Sequence, residues 1–126
     1  MIRVVKLYGT TSSGGALTVT STEIIRGHLE KVRWIDGDLA DGVDATFSVD
    51  SADGVSPDET VLTLTDANAD AVYYPRTPAH DNVGAAVTFD GTNEIYTRFV
   101  IDGQLKMVIA SGGDTKSGGA LVYVEV

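Results

Sequence analysis

From Ile101 to Val126 the sequence reads as two apolar runs joined by a small polar loop. The first run puts Leu105, Met107 and Ile109 on one face of an extended chain, with Lys106 and Val108 on the other. The second puts Val122, Val124 and Val126 on one face and Leu121 and Tyr123 on the other. The small residues Ser111 to Gly119 lie between them, and the pattern predicts a β-hairpin with a longer connection. Alternation fails in the final run because both of its faces are apolar. Such a strand is covered on both sides, within its own domain or by a partner. A chain closing on this pattern builds its core on a sheet.

The rest of the sequence agrees. No window of a dozen residues shows a 3.6-residue apolar period. Short β-rich runs recur instead, divided by Asp-Gly and Ser-Gly pairs. Strands are expected over Ile2 to Tyr8, Ala16 to Thr20 and Ile24 to Ile35, the last broken near Gly27. Further strands are expected over Ala45 to Asp50, Thr60 to Thr65, Ala71 to Tyr74, Ala85 to Phe89 and Ile95 to Ile101. Ala45, Phe47 and Val49 should point inward, as should Leu62 and Leu64. Gly9 to Gly15 reads as a flexible turn. Pro75 must end its strand, because proline donates no ladder hydrogen bond. The expected fold is all-β: a single-domain antiparallel β-sandwich or jelly-roll-like barrel of about eight or nine strands. At 126 residues the chain is long enough to build one core without staples.

Charge narrows the choice of partner. Net charge is −9, and no basic residue lies between Arg33 and Arg76, an interval rich in aspartate. A nucleic-acid or anionic-membrane partner needs clustered Lys and Arg, so neither is expected. The acidic interval reads as a solvated face, or as one that meets a basic partner. Cysteine is absent, which removes disulfides and thiolate metal sites. The N-terminal residues Met1 to Tyr8 read as a strand and not as a signal peptide, so synthesis in the cytoplasm is expected.

No residue set demands a metal, a cofactor or a catalytic role. Asp66, Asn68 and Asp70 copy the first ligand spacings of an EF-hand loop, but Ala71 and Thr77 stand where glycine and glutamate are needed. Asp36, Asp38 and Asp41 form a second acidic group, better explained as turn caps. Gly113 to Gly118 has a phosphate-loop flavour, but Thr115 precedes Lys116 where glycine is required, and a strand follows. His80 and Asp81 are adjacent, so in an extended chain their side chains point apart. An aromatic platform for sugar, using Trp34, Tyr73, Tyr74 and Tyr96, is a rival to ordinary core and interface use of these rings. The segment around Pro75 and Pro78 cannot be a regular strand. It carries Tyr73, Tyr74, Pro75, Arg76 and His80, an interface-like mix. With Leu121 and Tyr123 these residues form the expected contact set.

Two stretches also carry a family likeness. Tyr74-Pro75-Arg76-x-Pro78-x-His80-Asp81 is followed by Gly103-x-Leu105-Lys106-x-Val108-x-Ala110-x-Gly112-Gly113-x-x-Lys116-Ser117-Gly118. Together with Leu62 to Asp66, they resemble a family of small virion proteins of tailed bacteriophages, encoded near the major capsid gene. The resemblance covers the second half of the chain, while the first half matches only in strand pattern and length. It implies a head decoration, or cement, protein that binds the major capsid protein and resides in the virion; the final strand, apolar on both faces, suits burial in a symmetric oligomer, and a homotrimer is expected. A tail or neck adaptor is the structural alternative, and a carbohydrate-binding module is the alternative of another class. The resemblance carries over no catalytic, metal or cofactor residues.

Overall fold

The computed structural model describes all residues, Met1–Val126, and contains no helix. Ten strands follow one another: β1 (Ile2–Thr10), β2 (Leu17–Thr20), β3 (Ile25–Ile35), β4 (Asp44–Ser51), β5 (Glu59–Leu64), β6 (Ala71–Tyr73), β7 (Thr77–Pro78), β8 (Tyr96–Thr97), β9 (Val100–Ala110) and β10 (Ser117–Glu125). Eight belong to one antiparallel sheet whose path runs β1-β10-β3-β9-β4-β5, with β2 added to β9 and β6 to β3; β7 and β8 form a separate pair.

The path folds into two layers because β3 and β9 each serve both. Ile25 to His28 of β3 pair with β9, whereas His28 to Ile35 pair with β10. Val100 to Gly103 of β9 pair with β3, whereas Thr20 to Leu17 of β2 lie opposite Lys106 to Ile109. One layer is thus β1-β10-β3-β6 and the other β2-β9-β4-β5. Glycine marks the crossing. A Cβ on Gly27 would collide with the Glu125 carbonyl, and one on Gly103 with the Asp50 carbonyl. β3 is therefore one continuous strand; the break expected at Gly27 is instead the point where it changes partner.

The inner faces fuse into one core of 20 buried side chains. Trp34 of β3 lies at its centre, fully buried, edge-on to Phe47 of β4 at 6.3 Å, with its indole N–H donating to the Ala67 carbonyl at 3.0 Å. β9 alternates as expected: Ile101, Leu105, Met107 and Ile109 are buried, and Val100, Asp102 and Val108 face out.

Three expectations need correction. β9 and β10 are not a hairpin: β10 lies between β1 and β3, and β9 beside β4. Their connection crosses from one layer to the other. It is held by Gly112 N–H on the Gly15 carbonyl, Ala40 N–H on the Gly112 carbonyl and Thr11 N–H on the Lys116 carbonyl. Six residues readily span the ~10 Å between packed sheets, so a hairpin signal of this length does not fix which strands pair. In β5, Val61 and Leu64 are buried and Leu62 only half-buried. A bulge causes the shift: Leu62 faces Phe47 and Thr60 faces Ser48, leaving Val61 as the extra residue that turns inward. Lastly, Ala85 to Phe89 form no strand, and Ile95 to Ile101 divide between β8 and the start of β9.

Candidate functional site

Strand register builds one outer face across the β1-β10-β3-β6 layer. Lys6 faces Leu121, which faces Arg33, which faces Val72. In the next row Val4 faces Tyr123, which faces Lys31. Leu121 and Tyr123 are half-buried by their neighbours, and Val4 stays 49% exposed. The cations ride on aromatic faces: Lys31 Nζ lies 4.7 Å from the Tyr123 ring centroid, and Lys6 Nζ 5.4 Å from that of Tyr8. The chain's ion pairs employ Arg3, Arg26, Arg98 and Lys106, leaving Lys6, Lys31 and Arg33 on this face without carboxylate partners. On a molecule of net charge −9, this half-apolar, cationic strip stands apart.

β10 is covered on its inner side, where Ala120, Val122 and Val124 are buried. Its outer side, with Leu121 and Tyr123, is only half-covered. The strand apolar on both faces is thus a central strand of the domain with one face partly open.

The other expected contact residues divide. Tyr73 shares a row with buried Val32 and Val122, and packs against the core; Pro75 is buried. These two anchor the segment. Tyr74, Arg76 and His80 are exposed. Arg76 Nη1 donates to the carbonyls of Glu30 at 3.1 Å and Pro75 at 2.8 Å, fixing the point where the chain leaves the sandwich.

Beyond that point residues 77–97 form an arm. β7 and β8 close its base, with Thr77 opposite Thr97 and Pro78 opposite Tyr96. Three backbone bonds circle inside it: Ala79 N–H to the Ile95 carbonyl, Ile95 N–H to Val87, and Val87 N–H to Ala79. Each tip is an aspartate turn. The Asp81 carboxylate accepts from Val83 N–H and Ala85 N–H, both at 3.0 Å, and that of Asp90 accepts from Thr92 N–H at 2.9 Å and Asn93 N–H at 2.7 Å. These bonds hold both carboxyls below the usual carboxylate range. No residue of the arm is buried; Val83 is 81% and Phe89 70% exposed. Sequence reading missed this arm. The signal was Asp81-Asn82-Val83-Gly84 and Asp90-Gly91-Thr92-Asn93, two turn formers too close for a core strand between them.

The arm's return is pinned by Arg98, which bonds Glu30 and reaches Glu125 at 3.0 Å. The guanidinium holds the Glu30 carboxyl low, and the two carboxylates raise Arg98 in turn.

The aspartates of the acidic interval act as loop staples. Asp70 accepts from Asp36 N–H at 2.8 Å, Asp38 from Ser117 N–H at 2.6 Å, Asp44 from Asp66 N–H at 3.1 Å, and Asn68 from Gly42 N–H at 2.7 Å. No group of three or more His, Asp or Glu side chains has metal-holding geometry. One oxygen of Asp36 is buried with no hydrogen-bond partner, and burial, with Asp70 and Asp41 nearby, pushes its carboxyl up. The sugar platform loses Trp34, whose ring is sealed in the core. The surface depressions are open, the largest about 460 Å³ and lined by residues 63–71 and Tyr73.

No family model matches this chain. No curated protein and no solved structure matches it either.

Proposed function

We propose that the chain is a structural protein of a tailed-bacteriophage virion, a head decoration protein that binds between major capsid subunits and stabilises the shell. One observation supports it above the others: a sandwich with a continuous core presents an exposed apolar arm beside a cationic, half-apolar sheet face. Both are contact surfaces in composition. The family likeness touches the arm but not the cationic face. Tyr74 to Asp81 open the arm, and Gly103 to Gly118 span β9 and the crossing into β10. The protein is made in the host bacterial cytoplasm and acts in the virion as a homotrimer.

Its mechanism is mass action. A protein that binds only the assembled, expanded lattice lowers the free energy of that lattice relative to its open forms. The exposed acidic loops between Asp36 and Asp70 meet solvent or basic capsid patches.

Purified virions test the proposal. Copies in number with the capsid lattice, and shells that break more readily once the protein is removed, are the expected results. Absence from particles, or unchanged shell stability, ends it. A copy number matching tail or neck symmetry overturns it in favour of an adaptor.

A further inference from the structure

We propose that the arm of one copy docks on the outer face of the β1-β10-β3-β6 layer of a second copy of this chain. The inference does not rest on the capsid reading; it follows from two surfaces that lack occupants and complement each other.

The arm is apolar and acidic. Residues 77–97 expose Val83, Phe89, Ile95 and Tyr96 and carry Asp81, Asp90 and Glu94, with no Lys or Arg. Both turn aspartates stay ionised well below neutral pH, because backbone N–H groups hold their charge. The face is apolar and basic. Val4, Leu121 and Tyr123 provide area, while Lys6, Lys31 and Arg33 provide three positive charges that no carboxylate of the chain neutralises. Elsewhere the molecule is strongly acidic and repels an acidic arm. On a second copy, this strip is where the arm meets opposite charge and a matching apolar surface together.

Arm and face are different patches of one molecule, so the contact is heterologous. The arm springs from β6, the edge of the very layer whose face receives it. A closed ring then satisfies every arm and every face at once. The arm, which has no core of its own, gains one from its neighbour.

Sedimentation of the full-length chain, with no capsid present, tests this. The wild-type protein should form a discrete oligomer. Lys31→Glu with Arg33→Glu should weaken association about a hundredfold while the melting curve of the sandwich persists. Thr92→Lys with Glu94→Lys, which leaves both turn aspartates in place, should weaken it likewise. Combining all four substitutions in one chain should recover part of the association, since the two new arm cations can pair with the two new carboxylates of the face. Phe89→Ser should weaken it through the apolar half of the contact. A monomeric wild-type chain at high concentration, or an oligomer indifferent to both charge reversals, overturns the proposal.

Discussion

Gly103 and Gly27 sit where the two layers exchange strands, and neither has room for a methyl group. A Cβ at Gly103 would enter the backbone of β4 at Asp50, and a backbone cannot rotate aside as a side chain can. Gly103→Ala should therefore destabilise the fold by about 3 kcal/mol, read as a lower denaturant midpoint with an unchanged slope. Trp34 makes a different kind of prediction. Its indole N–H is the partner of the buried Ala67 carbonyl, 3.0 Å away. Trp34→Phe keeps an aromatic ring against Phe47 but strands that carbonyl and opens a small void. A loss of about 2 kcal/mol is expected in chemical denaturation. The sequence placed the ring within an expected strand, Ile24 to Ile35, and left it between core use and a sugar platform. Its hydrogen-bond partner was not legible, because Ala67 lies in a loop brought near only by tertiary folding.

At the scale of elements, strands with one wet face were readable and their partners were not. Phe47 and Val49 alternate with polar residues, and β4 fell where expected, at Asp44–Ser51. β9 and β10 look like a hairpin because both are apolar and their link is short. Pairing is decided instead by competition, and β1 and β3 take both sides of β10. Val61 shows the finer limit: one extra residue in β5 reverses which side chains are inside. The arm is the element that sequence reading passed over, since its order comes from turns and backbone bonds and not from burial. Removing a turn should loosen it alone. Asp90→Ala deletes the acceptor for Thr92 and Asn93 N–H, so amide exchange between residues 88 and 95 should quicken several-fold. The melting temperature of the sandwich should hardly move, because no arm residue belongs to the core cluster. A uniform loss of protection across β3 and β9 would instead make the arm part of the main cooperative unit.

For the whole molecule, acid stability follows from two opposed groups of carboxyls. Glu30, bonded by Arg98, and Asp53, Asp81 and Asp90, bonded by Ser56 and by turn amides, are held low in the folded state. Their ordinary values are 4.5 for Glu30 and 3.8 for the aspartates. Such groups bind more protons when unfolded, so their stabilisation is complete above those values and is lost as pH falls below them. Asp36 runs the other way. Burial raises it above 3.8, so the folded state binds its proton more readily and gains stability as pH falls through that raised value. Acidification from pH 7 also discharges a surface of net charge −9, relieving self-repulsion. Melting temperature should thus hold or rise as pH drops towards the upper end of the carboxyl range, and then fall once the bonded carboxylates protonate. Asp36→Asn separates the contributions. It replaces a half-buried carboxylate beside Asp70 and Asp41 with a neutral amide, so it should stabilise the protein at pH 7, by on the order of 1 kcal/mol. The gain should shrink towards zero in acid, where the wild-type side chain is already neutral. Equal gains at pH 7 and at pH 3 would show that the Asp36 charge does not oppose folding.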